Sequence, residues 1–280
     1  MKTIKLLVFS LFISSSLSTT AQDNPFKVVV IGKGEPILLF PGFACTGDVW
    51  DATVAELAKD YECHVFTFAG FGDVPAIEKP WLPKIKKGVV KYISENKLEN
   101  AILIGHSLGG ALALWMATES EFYKELIIVD ALPSTGALMM PNFKSDYMVY
   151  DSPYNKQVLA MNANDFEAMA TQMANGMTKE KVYQEKIKDW MTIADRETYV
   201  YGYTDLLKLD LREDLAEINT PVTILAATEP YGLEMAKSTY ELQYKALNEY
   251  SIEFANGASH FIMYDQPQWF IENVKTALND

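Results

Sequence analysis

Cysteine and histidine are both scarce in this 280-residue chain, which has two cysteines and three histidines. None of them has the His-x-x-x-His or Cys-x-x-Cys spacing of a zinc site, and the carboxylates show no regular ligand spacing. We therefore expect no metal ion. In an oxidising compartment Cys45 and Cys63 could form one disulfide; we favour two buried thiols.

Long apolar runs and an excess of positive charge are absent as well. Asp and Glu outnumber Lys and Arg by 37 to 24, for a net charge of −13, and so acidic a chain is a poor candidate for binding nucleic acid or anionic membranes. No segment reaches about 18 uninterrupted apolar residues, so none is predicted to span a bilayer. The run Gly70-Phe71-Gly72 lacks the third glycine and the lysine of a phosphate-binding loop. We predict no cofactor.

The first 21 residues have the layout of a secretory signal peptide. Two lysines at positions 2 and 5 precede the short apolar run Leu6 to Ile13, and Thr19-Thr20-Ala21 ends in small residues. Export to the periplasm or the medium is therefore predicted, with no membrane attachment after cleavage. Loss of Lys2 and Lys5 would take the net charge from −13 to −15.

Seven short apolar segments alternate with helical patterns. Such alternation is typical of an α/β fold with a mostly parallel sheet and helices on both faces. The first two segments are separated by Gly32-Lys33-Gly34-Glu35, which predicts an opening hairpin with an antiparallel edge strand. We assign residues 22–132 and 219–280 to this core domain. The predicted strands are residues 26–31, 37–40, 64–68, 101–104, 126–129, 222–226 and 251–254.

Residues 133–218 interrupt the alternation, because this stretch has helical patterns and no convincing strand. It holds eight of the twelve methionines, and Met169, Met173 and Met177 recur every four residues. Two interpretations of this stripe are compatible with each other. It can be the buried face of a helix, and it can line an adaptable apolar pocket. We predict a helical cap over 133–218 and take Met169 and Met173 as candidate pocket residues.

The strongest chemical signal is Gly105-His106-Ser107-Leu108-Gly109, between a strand and an apolar helix. A Gly-x-Ser-x-Gly turn in that place forces the serine into a strained backbone at the top of the sheet. Ser107 is the candidate nucleophile. The Leu108 amide at the start of the next helix can stabilise an oxyanion, and the Phe43 amide in the turn after an earlier strand is the second candidate donor.

The candidate general base is His260. His64 lies inside a strand pattern and His106 lies in the serine turn, whereas His260 is on a loop after the last strand. The order serine then histidine along the chain matches that of a Ser-His-acid triad.

Over nearly all of its length after residue 21, the chain resembles the α/β-hydrolase superfamily. In that family a helical insertion between two late strands covers the active site, which implies this role for 133–218. The oxyanion turn usually begins His-Gly, where this chain has Pro41-Gly42. The segments that carry the resemblance are Phe40-Pro41-Gly42-Phe43, Ala69-Gly70-Phe71-Gly72, residues 105–110, Asp210-Leu211-Arg212, Pro221-Val222 and Ser259-His260-Phe261.

The family's usual acid is missing from its usual place. The segment that usually reads Gly-x-x-Asp is Ala227-Thr228-Glu229-Pro230. We expect Glu229 to take the role from one residue earlier; Asp130, which ends an earlier strand, is the rival, and a site with no acid is the third possibility.

These residues together predict a serine hydrolase that cleaves an ester of a small, apolar molecule. Ser107 would attack, His260 would transfer the proton and Glu229 would orient the imidazole. Hydrolysis of an amide or a C–C bond can use the same residues. A ligand-binding protein on the same scaffold is the alternative from another class.

Overall fold

The computed structural model describes residues 25–140 and 142–279, and the predicted signal peptide lies outside them. All seven predicted strands are present in one sheet. They are β1 (Phe26–Gly32), β2 (Glu35–Phe40), β3 (Tyr61–Phe68), β4 (Ile102–His106), β5 (Glu125–Val129), β6 (Val222–Ala227) and β7 (Ser251–Ala255). Their order in the sheet is β1-β3-β2-β4-β5-β6-β7, and every neighbouring pair is parallel except β1 and β3. The mostly parallel α/β fold is therefore confirmed.

Helices cover the middle of the sheet on both faces. Leu38 and Leu39 of β2 point to opposite faces, because side chains alternate along a strand, and both are fully buried. The helices outside the interval between β5 and β6 are α1 (Asp51–Leu57), α2 (Trp81–Asn96), α3 (Leu108–Ala117), α9 (Leu233–Gln243), α10 (Ile262–Asp265) and α11 (Pro267–Ala277).

Between β5 and β6, the interval predicted as a cap, the described residues form five helices. Two of its longer helices start with a side-chain cap, since Asn162 and Asp195 accept hydrogen bonds from the amides of Asp165 and Thr198. We refer to these five as the cap helices: α4 (Thr135–Met139), α5 (Pro153–Ala160), α6 (Ala163–Met177), α7 (Lys181–Ile193) and α8 (Arg196–Lys208).

The predicted opening hairpin is wrong, although β1 is an antiparallel edge strand. β1 pairs with β3, and β2 lies on the other side of β3. The connection between β1 and β2 passes close to the residues that lead into β3. A Cβ at Gly32 would lie only 2.7 Å from the Ala58 carbonyl oxygen. Gly32 and Gly34 therefore allow two backbone segments to pass close to each other, and they do not form the turn of a β-hairpin.

Two further observations concern the cysteines and the membrane. Cys45 and Cys63 are both free and buried, as predicted. No helix in residues 25–140 and 142–279 is long and apolar enough to cross a membrane.

Candidate active site

Ser107 lies in the sharp turn between β4 and α3, with a backbone φ of +53° and ψ of −117°. A residue with a side chain rarely adopts a positive φ, so the surroundings must hold it there. Two glycines allow the turn to pack tightly, since a Cβ at Gly105 would collide with the backbone of Gly109, and a Cβ at Gly109 would collide with the carbonyl of Phe40. The sequence motif thus forms the predicted serine turn at the carboxyl end of β4.

The two candidate oxyanion donors belong to segments that lie close to Ser107. Leu108 is the first residue of α3. The turn that contains Phe43 comes close to the serine, because a Cβ at Gly42 would lie 3.5 Å from the Ser107 Cβ. Neither the Phe43 amide nor the Leu108 amide donates to an acceptor within the described part of the chain. Both amides are thus free to bind an oxygen atom of a ligand.

The carboxylate that contacts His260 is Asp130 and not Glu229. The Nδ1 atom of His260 lies 2.6 Å from Oδ2 of Asp130. Glu229 follows β6, its side chain is exposed, and its backbone amide donates to the Ala258 carbonyl at 3.0 Å. The expectation that Glu229 would be the partner of His260 is therefore wrong, although Glu229 does line the cavity that contains the histidine. Asp130 follows β5 and reaches the histidine loop across the end of β6.

Asp130 is held in place by more than the histidine. Its Oδ1 accepts hydrogen bonds from the Ala227 amide and the Tyr240 hydroxyl, both at 2.8 Å. Burial is the largest influence on its carboxyl and raises the pKa, but the hydrogen bonds and the charge of His260 outweigh it and leave the pKa below the ordinary value. Asp130 is therefore ionised at neutral pH and accepts a hydrogen bond from the Nδ1–H group of His260.

Tyr240 and His106 are site residues that the sequence did not reveal as such. Burial and the nearby Asp130 raise the pKa of Tyr240 well above its ordinary value, so its hydroxyl remains a donor. His106 is fully buried, and its Nε2 lies 3.0 Å from the backbone oxygen of His260. Burial, with the charge of His260, lowers the pKa of His106 to about 3. His106 is thus a neutral donor under the histidine loop.

Ser107 and His260 line the same cavity of about 260 Å³. No hydrogen bond joins their side chains among the residues described here; such bonds are often long in ligand-free sites. The wall comes mainly from apolar residues of the core turns and the cap helices. It includes Phe43, Leu132, Leu138, Met173, Met177, Ile187, Trp190, Met191, Tyr199 and Leu206.

Met173 faces this cavity, and Met169 does not. The buried face of α6 is formed by Phe166, Ala170 and Ala174, with the methionines on its flank. Met173 lines the cavity and its sulfur accepts a hydrogen bond from Tyr199 at 3.5 Å. Met169 packs against the core one helical turn away, about 6 Å along the axis. The assignment of Met169 to the pocket is therefore wrong.

The described residues contain no group of three or more His, Cys, Asp or Glu side chains arranged to hold a metal ion. The chemistry available in the cavity comes from the hydroxyl of Ser107, the His260–Asp130 pair and the free amides.

Comparison with known proteins identifies the family. The model of the Alpha/beta hydrolase family matches residues 37–273. The chain is 24% identical to 3-oxoadipate enol-lactonase 1 of Acinetobacter baylyi over 93% of this chain and 95% of that protein. It is 25% identical to a pimeloyl-acyl-carrier-protein methyl ester esterase of Vibrio cholerae over 78% of this chain and 84% of that protein.

Solved structures have the same fold. The enol-lactonase of Burkholderia xenovorans superposes with a TM-score of 0.75 at 17% identity, covering 91% of this chain and 96% of that one. An esterase of Exiguobacterium antarcticum superposes with a TM-score of 0.76 at 17% identity, covering 91% and 96%.

Proposed function

The chain belongs to the Alpha/beta hydrolase family, and we propose that it is a serine hydrolase that cleaves an ester or lactone of a small, neutral, apolar molecule. The observation that carries the proposal is the 2.6 Å contact between His260 Nδ1 and the buried Asp130 carboxylate. A histidine held in this way presents Nε2 as a base. A serine in a strained turn lines the same cavity.

The proposed reaction follows from these positions. His260 Nε2 takes the Ser107 proton as Oγ attacks the carbonyl carbon, and the amides of Phe43 and Leu108 bind the oxyanion. As the tetrahedral intermediate collapses, His260 gives that proton to the leaving alcohol oxygen and an acyl-enzyme remains. Water then loses a proton to His260 and attacks the acyl carbon, and the serine leaves with its proton restored. Asp130 keeps its charge throughout and stabilises the imidazolium.

The size and lining of the cavity support the substrate class. A volume of about 260 Å³ is at the small end of ligand pockets, which favours short acyl and alcohol groups. Within the described part of the chain, no lysine or arginine lines the cavity, so a carboxylate bound inside would be left without a cationic partner there. Two curated relatives are named as a lactonase and a methyl ester esterase, which favours an ester over an amide or a C–C bond.

The proposal is tested by labelling and by turnover. A small fluorophosphonate should add covalently to the wild-type protein at Ser107, and Ser107→Ala should take up none, as read by intact mass. Among p-nitrophenyl esters of increasing chain length, kcat/KM should be highest for short acyl groups. If no label is taken up and no ester or lactone is turned over, the chain is a ligand-binding protein on this fold and the proposal is wrong.

A further inference from the structure

Three consecutive backbone positions around His260 are each fixed by a hydrogen bond. The Ser259 amide donates to Oδ2 of Asp265 at 2.7 Å. The His260 carbonyl oxygen lies 3.0 Å from Nε2 of His106, and the Phe261 amide donates to the Met177 carbonyl at 3.0 Å. Three hydrogen bonds, to three different parts of the chain, therefore fix the loop that carries the histidine.

Two of these attachments lead to the cap and not to the sheet. Met177 is the last residue of α6. The other oxygen of Asp265, Oδ1, accepts from the Thr178 hydroxyl at 2.6 Å and from the Lys179 amide at 2.9 Å. One carboxylate thus joins the residue before His260 to the two residues that follow α6.

This junction is partly shielded from water, although Lys179 at its outer end is exposed. The side chains of Thr178 and Ser259 are buried, with 1% and 7% of their residue surfaces exposed. Hydrogen bonds to a charged acceptor in such surroundings are short and strong. Lys179 strengthens the same junction, because its ammonium donates to the Gly257 carbonyl in the histidine loop.

The helix at the other end of the junction forms part of the cavity wall. Met173 and Met177 of α6 line the cavity beside Ser107 and His260. A movement of α6 when the cavity is filled would therefore reach the backbone of His260 through Met177 and Asp265. Asp265 itself is not among the residues that line the cavity.

We propose that Asp265 is a positioning residue that fixes the backbone of His260 against the end of cap helix α6. The cap then contributes to the rate of the chemical step and does not act on substrate selection alone. This inference rests on the proposed function, because it takes His260 to be the general base.

Asparagine is the informative substitution, because Asp265 faces three donors and offers them two acceptor oxygens. In Asp265→Asn one of those oxygens becomes an NH2 group, so a donor is placed against either Ser259 or Thr178. The histidine loop or the end of α6 must then shift. A displacement of about 1 Å in a catalytic group can cost about 10²-fold in rate, so we expect kcat to fall by about that factor while KM changes by less than about threefold.

Three variants make the test specific. Thr178→Val removes only the hydroxyl on the cap side and should lower kcat in the same direction but by less. Asp265→Glu keeps both acceptor oxygens and should restore part of the loss. Asp189→Asn makes the same chemical change on an exposed side chain of α7 and should leave kcat unaltered.

A spectroscopic measurement separates positioning from general destabilisation and does not require turnover. The proton between His260 Nδ1 and Asp130 should give a downfield proton resonance that is absent from Asp130→Asn. In Asp265→Asn this resonance should broaden or shift, at a temperature where near-ultraviolet circular dichroism shows the protein fully folded. It should be retained in Asp265→Glu and Asp189→Asn.

Specific outcomes would overturn the inference. If Asp265→Asn is folded and kcat stays within about twofold of wild type, or if only KM changes, Asp265 does not position the base. If Asp265→Asn does not fold, Thr178→Val decides: an unchanged kcat and an unchanged resonance refute the role. If the wild-type protein has no esterase activity but the resonance is altered in Asp265→Asn, the proposed function is wrong and the positioning of His260 by Asp265 is still supported.

Discussion

Replacement of Asp130 by asparagine should abolish turnover, and the structure gives the reason atom by atom. Oδ1 of Asp130 accepts from the Ala227 amide and the Tyr240 hydroxyl, whereas Oδ2 accepts from His260 Nδ1. In Asp130→Asn the single amide oxygen will stay with the two donors at the Oδ1 position. The NH2 group must then occupy the Oδ2 position and face the histidine.

A donor facing Nδ1 reverses the tautomer of the imidazole. Nδ1 has to accept a hydrogen bond, so the proton moves to Nε2, and the nitrogen that should take the Ser107 proton is already protonated. The imidazolium also loses its negative partner. In a Ser-His-Asp triad this change costs about 10⁴-fold in kcat, which corresponds to about 5.5 kcal/mol in activation free energy.

The matched control is Glu229→Gln, the same change at the carboxylate that the sequence favoured. Glu229 lines the cavity, but its side chain is exposed and Asp130 is the carboxylate bound to His260 Nδ1, so kcat should stay within about twofold of wild type. Both variants are measured with one p-nitrophenyl ester, with Ser107→Ala as the background. A collapse in Glu229→Gln with full activity in Asp130→Asn would refute the assignment of the acid.

Three further predictions concern the serine, the cavity wall and the buried histidine. Ser107→Ala should lower kcat by about 10⁴-fold or more, and Ser107→Gly should be equally inactive. In urea unfolding, Ser107→Gly should be more stable than Ser107→Ala by about 1–3 kcal/mol, because glycine relieves the strain of the positive φ. Equal stability of the two variants would show that the turn is not strained. Met173→Ala should extend the accepted acyl chain in an ester series, whereas Met169→Ala should only lower the melting temperature; the same ester profile for both would argue against the lining. Burial lowers the pKa of His106 to about 3 in the folded protein, whereas a histidine in an unfolded chain has a pKa of about 6.5. As the pH falls from 7 to 5, the unfolded state therefore binds a proton that the folded state does not. The free energy of unfolding should decrease by about 2 kcal/mol for this reason. In urea titrations at the two pH values, the free energy of unfolding of His106→Gln should decrease by about 2 kcal/mol less than that of wild type. An equal decrease in the two proteins would contradict this prediction.

The features that depend on neighbouring residues could be predicted from the amino-acid sequence alone. The seven strands follow from short apolar segments, whose burial requires a sheet covered on both faces. The serine turn follows from a local motif, because only glycines at positions 105 and 109 let the backbone pack so closely. His260 stood out because it alone among the three histidines lies on a loop after a predicted strand.

Which distant groups contact each other depends on how the whole chain packs. Asp130 and Glu229 both follow strands, so a local pattern gives no basis for choosing between them. The choice depends on the backbone after each strand: Asp130, with a φ of +42°, points its carboxylate to His260, while the Glu229 amide is bound to Ala258 and its side chain is exposed.

The same reason explains the other corrections. Met169 and Met173 are equivalent in the helical pattern, yet only Met173 lies level with the cavity, because the elements packed beside α6 differ along its length. β1 and β2 are consecutive in the chain, yet β3 lies between them, because strand neighbours are chosen by the packing of distant segments and not by the order along the chain. Hydrophobic periodicity specifies which face of an element is buried, and the partner on that face is selected only when the whole chain packs.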